Sequence, residues 1–474
     1  MMINKSQDLT RRTVFERMGK LAIVGGAAPF ALNLAALGEA AAFSGGDYKA
    51  IVCIFMHGGN DQSSTLIPYD PANYDRYSEL RGGGAGQTAG GIAYARADLA
   101  NTVLNTSQTL TDDQKLALAP QLTSLRSLWN SGRLAMQLNV GPLIQPTTLA
   151  QYQSTNRTAN PLPPRLFSHN DQASVWQSLG AEGSTTGWAG RLGDLALSDN
   201  NNSLMTCISA AGNAVMLSGD TALQYQINTT GAIPVNGLKS NLFGSQACSE
   251  ALNTLINQSS GHVFEAEYNR VLKRSIAWEG TVSGALNAAP VANAFAQTSS
   301  SNTLATQLKI VARLIAARAN LGIKRQVFFV QHGGYDTHDG TNNIHPKQMQ
   351  QLNEAMLAFY TATVEMGVSE KVTTFTASDF GRTLSSNGTG TDHGWGSHHF
   401  LMGGAVNGGR FYGTAPKISI TSDDQVGQGR LLPTTSVDQY AATLARWFGA
   451  SSSEIASIFP NIGRFSTANL GFMA

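Results

Sequence analysis

Charge is scarce in this chain. Only 13% of its 474 residues are Asp, Glu, Lys or Arg, and they nearly cancel, leaving a formal net charge of +1. No basic surface is available to hold a phosphate backbone, so nucleic acid binding is excluded as a leading class. Cysteine is scarcer still. Cys53, Cys207 and Cys248 are too few for a disulfide framework; Cys53 sits in an apolar run and reads as buried and inert, whereas Cys207 and Cys248 are a candidate pair in an exported protein. No fixed-period repeat is present, which removes the solenoid architectures. What the chain has is apolar residues, 42%, and glycine, 49 residues. That composition describes a globular α/β chain with a sizeable core and tight connections.

The N-terminal segment is of a different kind. "TRRTVFERMGK" at 10–20 puts Arg11 and Arg12 before the apolar "LAIVGGAAPFALNLAALG" at 21–38, and small residues follow in "EAAA" at 39–42. This is the pattern of a twin-arginine export signal over residues 1–42, which predicts use of the twin-arginine export machinery and a periplasmic or extracellular location. A membrane anchor is the competing reading, but Asn33 and the Gly and Ala residues make a poor permanent span. Cleavage near Ala40–Ala42 leaves 27 basic against 28 acidic residues.

Beyond the leader, "YKAIVCIFMHGGND" at 48–61 begins as a continuous apolar run and ends in glycine and acid. Such a run fits a strand buried on both faces, with Asp61 just past its C-terminal end, the edge where open parallel sheets bind ligands. Residues 81–113 read as a surface excursion. A helix then carries Leu122, Leu125, Leu128 and Trp129 on one stripe and leads to the strand "LAMQLNV". Residues 195–303 are rich in Asn, Ser and Gly, with helices predicted near 248–276, and read as an insertion or substrate-facing subdomain. From Leu304 the rhythm is regular: a helix with Leu304, Leu308, Val311 and Ile315 on one face, the strand "QVFFV" at 326–330, a helix beginning at His345 and Pro346, the strand "KVTTFTASD", and a final helix over 436–449.

Three polar islands hold five of the nine histidines: "QHGGYDTH" at 331–338, "FTASDFGRT" at 375–383 and "TDHGWGSHHF" at 391–400. Asp336 and His338 are separated by one residue, Asp379 follows the next strand, and Asp392 and His393 follow a glycine-rich loop. One Asp-x-His is more often structural than catalytic, but its recurrence at successive strand ends points to a metal centre. Carboxylate with imidazole suits zinc, manganese or iron rather than calcium.

The order Asp61, a hydroxyl-bearing middle segment, "DTH", "SDFGR" and "DHG" resembles the alkaline phosphatase and sulfatase superfamily. More narrowly, the leader followed by "HGGNDQSSTLIP", "FSHNDQASVWQ", "TGWAGR", "GGYDTH", "SDFGRT" and "DHGWGSHHF" resembles a bacterial family of exported, sulfatase-like proteins of unassigned activity. The resemblance implies a three-layer α/β/α sandwich over 48–474 with one or two divalent ions, zinc or manganese foremost. It implies hydrolysis of a phosphate or sulfate ester, with an envelope component among the candidate substrates. It also assigns ligand roles to Asp61, Asp336, His338, Asp379 and His393. Phe380 stands where the superfamily has a ligand histidine, so the second metal position is missing, weakened or completed by His398, His399 or another donor. No "CxPSR" sulfatase signature is present. Ser168 in "RLFSHNDQ" is the best candidate nucleophile, although it reads equally well as a helix N-cap. Arg165 and Arg382 are candidates to neutralise an ester oxygen, and Arg382 is alternatively a brace for Asp379. The competing function is a noncatalytic envelope binding or assembly protein on a hydrolase-like scaffold.

Overall fold

The computed structural model describes residues 43, 46–83, 91–201, 203–287, 291 and 293–474; the expected leader lies outside them. Its centre is a ten-stranded sheet. The strands are β1 (Lys49–Met56), β2 (Leu134–Gly141), β3 (Cys207–Ser209), β4 (Tyr225–Asn228), β5 (Gly231–Ala232), β6 (Arg325–His332), β7 (Val372–Ser378), β8 (Ser397–Gly403), β9 (Phe411–Tyr412) and β10 (Thr435–Ser436). Their order is β9-β2-β8-β7-β1-β6-β3-β4-β5, with β10 also on β2. The central strands β7, β1, β6 and β3 run parallel, and β8 is antiparallel to both its neighbours.

β1 explains the three layers. Its side chains alternate between faces, and both sets are buried: Ala50, Val52, Ile54 and Met56 enter one core, Ile51, Cys53 and Phe55 the other. The first core is covered by α1 (Thr123–Asn130), α6 (Thr303–Ala316) and α7 (Thr341–Glu365). The second is covered by α2 (His169–Ser178), α3 (Trp188–Ala196) and α8 (Val437–Phe448). The predicted stripe of Leu304, Leu308, Val311 and Ile315 on α6 is entirely buried. The architecture is therefore an α/β sandwich of helices on both faces of a mostly parallel sheet.

Two expectations need adjusting. α7 starts at Thr341, behind Gly340 in the left-handed region, rather than at His345; Pro346 lies inside the helix. Residues 195–303 are not wholly external, because β3 pairs with β6 in the central sheet. α4 (Gln246–Asn257) and α5 (Val263–Asn287) are consecutive helices, and Val282 and Leu286 at the end of α5 are buried in the first core. All three cysteines are unpaired, and Cys53 and Cys207 are buried. No described helix is long and apolar enough to cross a membrane.

The level of the strand exits positions the site. Met56 is in register with both His332 and Ser378, so the loops leaving β1, β6 and β7 begin at one height. His57 N–H donates to His332 O at 2.9 Å and Tyr335 N–H to His57 O at 3.2 Å, tying the first two loops together. Gly58, at φ +112°, passes so close that a Cβ there would overlap the backbone nitrogen of Asp336.

His398 and His399 lie within β8, not at the strand exits. His398 Nδ1 accepts from the Asn139 N–H at 3.0 Å, and the ring faces an apolar pocket that includes Leu138, Leu384 and Leu431. His399 packs edge-on against Trp176, with Nδ1 3.4 Å from Thr376 Oγ1. They do not complete a second metal position, because strand pairing carries both rings into the interior. Burial pushes their pKa values down, to about 4 and about 3, and that of His345 to about 4. A histidine held neutral in the fold charges first in the unfolded chain, so stability falls as pH drops below about 6.5 toward these folded values. We expect a loss on the order of 2 kcal/mol per histidine by pH 5. Urea midpoints measured from pH 7 to pH 4.5 check this; a flat profile would contradict it.

Candidate metal centre

Two imidazoles and a carboxylate, those of His169, His393 and Asp336, gather above the strand exits, with His338 beside them. His169 is the first residue of α2, Asp336 and His338 follow β6, and His393 precedes β8. His393 Nε2 lies 3.1 Å from His169 Nε2 and 2.9 Å from His338 Nε2. Asp336 Oδ1 lies 3.1 Å from His338 Nε2 and 3.4 Å from His393 Nε2, and its Oδ2 lies 3.5 Å from His169 Nε2.

The other ring nitrogen of each histidine decides what these atoms carry. His393 Nδ1 donates to the Phe167 carbonyl at 2.7 Å. His169 Nδ1 donates to Asp379 Oδ2 at 2.7 Å, and His338 Nδ1 to Asp392 Oδ1 at 3.3 Å. Each partner is an acceptor, so a neutral ring keeps its proton on Nδ1 and directs a bare Nε2 lone pair inward. Lone pairs meeting carboxylate oxygens at these distances repel unless a cation or protons lie between them. Donors about 2.0–2.1 Å from a tetrahedral zinc stand roughly 3.3–3.4 Å apart, close to the spacings among His169, Asp336 and His393. The residues therefore fit a divalent cation.

Burial works to raise the Asp336 carboxyl, but the Arg382 hydrogen bond and charge, with His169 and His338, hold it below the usual range. The hydrogen bond to Asp379 raises His169, and burial lowers His393. The site is open: the side chains of His169, Asp336, His338 and His393 are 31%, 46%, 48% and 26% exposed.

A family profile described as "Protein of unknown function (DUF1501)" matches residues 48–458. The chain belongs to the DUF1501 family. Among curated proteins, none matches it. Similar solved structures include Ps i-CgsB in complex with k-i-k-neocarrahexaose, at 9% identity and TM-score 0.33, covering 87% of this chain and 76% of that one. The PsFucS1 sulfatase from Pseudoalteromonas sp. is similar at 10% identity and TM-score 0.30, covering 86% and 73%.

In this DUF1501 chain the remaining expected residues take distinct places. Asp379 reaches the cluster from behind: Oδ2 accepts from His169 and from Gly58 N–H at 3.0 Å, orienting the imidazole, while Oδ1 is buried without a hydrogen-bond partner. Arg382 braces Asp336 rather than Asp379. Its guanidinium is wholly buried, donating to Asp336 Oδ1 at 2.7 Å, Gly58 O at 3.2 Å and both Thr391 oxygens, and so does not face a substrate. Ser168 occupies the N-cap position of α2 without a side-chain cap bond; its Oγ donates to Asp171 Oδ2 at 2.7 Å. Arg165 is 75% exposed, with contacts of 3.9 Å to Asp171 and 4.0 Å to Glu182.

Asp61 stands apart. Its carboxylate is fully buried in a bidentate pair with Arg81, at 2.5 and 2.7 Å, and Oδ1 also caps the short helix Gln62–Thr65 through Ser63 and Ser64 N–H. Both oxygens are committed, so the structure places it outside the cluster. Burial opposes its ionisation, but Arg81 brings the pKa down to about 2. A depressed carboxylate stabilises the fold above its unfolded pKa near 3.8, and that contribution is lost as pH falls through about 2.

His169 and Asp392 were undervalued by sequence reasoning. In sequence His169 stands beside Ser168, the nucleophile candidate, and Asp392 beside His393, a ligand candidate. Phe380 is also informative: its buried ring packs 4.7 Å from both the His169 and His393 rings, closing that side with hydrocarbon.

Replacing Asp61 with Ala leaves the Arg81 guanidinium buried without its anion. We expect unfolding free energy to drop by roughly 3–5 kcal/mol, with metal bound per folded molecule unchanged. Denaturant titration and metal analysis check the two halves; loss of metal without loss of stability would return Asp61 to the ligand set.

Proposed function

We propose that this chain is an exported, metal-dependent hydrolase of phosphate or sulfate esters. The observation that supports it is the anchoring of three imidazoles through Nδ1 so that their Nε2 lone pairs meet at Asp336. His169, Asp336 and His393 would hold one cation, zinc or manganese by donor type, with His338 next to them at 2.9 Å from His393 Nε2. When bound, that cation supplies Lewis acidity to a nearby ester oxygen or hydroxyl.

The chain's own residues supply the rest. Ser168 adjoins His169, and its hydroxyl is already directed at Asp171. Attack of Ser168 Oγ on phosphorus or sulphur forms the new bond as the ester bond breaks. The hydroxyl proton passes to Asp171 and the departing alcohol takes its proton from solvent; water then attacks the group held on Ser168, the Ser168 ester bond breaks to release phosphate or sulfate, and Ser168 Oγ recovers its proton from Asp171. Arg165, exposed on the rim, is free to swing toward the anionic oxygens. Arg382, spent on Asp336, preserves ligand geometry instead.

Elemental mass spectrometry on the purified protein is the deciding measurement. We expect near one equivalent of transition metal, lost in His169→Ala, Asp336→Ala and His393→Ala. An aryl phosphate, diester and aryl sulfate screen then assigns the ester, with Ser168→Ala lowering turnover by roughly 10³-fold. Folded protein that takes up no metal after supplementation would sink the hydrolase and favour a binding or assembly role in the envelope.

A further inference from the structure

A hairpin over 424–432 brings one more arginine to the metal centre. Gln425 bridges Leu431, and the tip turns through Gly427, Gln428 and Gly429, all at positive φ of +109°, +54° and +73°. The tip is pinned on two sides. Leu384 N–H and Ser385 N–H donate to Gly429 O and Gln428 O at 3.3 and 3.2 Å, and Gly396 N–H donates to Leu431 O at 3.0 Å. Leu431 is buried, and side chains alternate along an extended arm, so Arg430 points the other way, to His393.

Its guanidinium is fixed in place with donors to spare. Nε donates to His393 O at 2.7 Å, and the group lies 5.4 Å from the Phe167 ring centre. Nη1 makes one long bond, 3.4 Å to Gly427 O, and Nη2 has no partner among the described residues. Its charge reaches the site as well. Burial works to raise the Asp392 carboxyl, but Asn387, His338 and Arg430 hold it below the usual range. The neighbouring arginines differ: Arg382 is sealed and committed to Asp336, and Arg165 is 75% exposed on the rim. A guanidinium already oriented loses little freedom when it takes an anion, and its fork matches two oxygens of a tetrahedral group. We propose that Arg430 binds the oxyanion of the ester through Nη1 and Nη2 and thereby selects monoesters, an inference that rests on the hydrolase reading above. A phosphate or sulfate monoester has three free oxygens, two for the fork and one left over. A phosphodiester has only two in all.

Isothermal titration calorimetry of the purified protein with inorganic phosphate, sulfate and dimethyl phosphate tests this. We expect phosphate or sulfate to bind more tightly than dimethyl phosphate. Arg430→Gln should weaken the tighter ligand roughly 10- to 100-fold and narrow its lead over dimethyl phosphate, with metal content and circular dichroism unchanged. Arg430→Lys keeps the charge but loses the fork, so its affinity should fall between those of wild type and Arg430→Gln. Equal binding by wild type and Arg430→Gln would overturn the proposal, as would an Arg430→Lys protein as tight as wild type. So would loss of metal together with phosphate in Arg430→Gln, which would make Arg430 a brace for the His393 loop, or a metal-bearing wild type that binds no oxyanion at millimolar concentration. Metal-free protein that still takes phosphate through Arg430 would defeat the hydrolase reading and uphold the oxyanion grip.

Discussion

The guanidinium of Arg382 is where the strand-exit loops become one object. Sealed from solvent, it binds the Gly58 carbonyl after β1, the Asp336 carboxylate after β6 and Thr391 ahead of β8, while its own backbone leaves β7. A buried arginine needs an anion and several acceptors, and only this arrangement of loops offers them. Asp336 is thereby aimed, and the two residues beyond it place His338 beside His393. A comparable constraint acts one layer deeper, where Arg81 and Asp61 pair with no exposure at all and hold the first loop from beneath.

On this frame each imidazole is fixed by its own acceptor: a carboxylate after β7, a carboxylate in the 391–393 loop, and a main-chain carbonyl. The carbonyl belongs to Phe167, which adopts φ +71°, and Arg165 two residues earlier adopts φ +39°. Left-handed backbone at bulky residues costs energy, so the segment entering α2 is held against its preference. Arg430 secures it from the other side, donating to His393 O at 2.7 Å while its guanidinium lies 5.4 Å from the Phe167 ring. The α2 and 391–393 loops are thus clamped to each other, and the inward lone pairs result from that clamping.

Much of this was legible beforehand. The apolar run of β1 announced a strand buried on both faces, and acids beyond β6 and β7 announced where a ligand would sit. Asp336, His338 and His393 were recognisable because Asp-x-His and Asp-His recur at successive exits. Asp61 looked equivalent by the same rule, yet its partner, Arg81, lies 20 residues on in what read as surface excursion. His398 looked like a spare donor because periodicity could not show that β8 begins at Ser397 and turns both following rings inward. His169 was overlooked because nothing local distinguishes a histidine opening a helix at the sheet edge from one capping it elsewhere.

Sequence by itself determined the alternation of strands and helices, the double-sided burial of β1, the scarcity of charge, and the residue types from which a metal centre can be built. Those depend on short-range patterning, which survives in a linear string. Only the tertiary structure decided which carboxylate meets which donor. Asp61 went to Arg81, Asp336 to Arg382 and Asp379 to His169, pairings separated by 20 to 210 residues that require the sheet to be assembled first. A buried pairing of that kind is a property of the closed fold, since neither partner is desolvated until the strands between them have found their register.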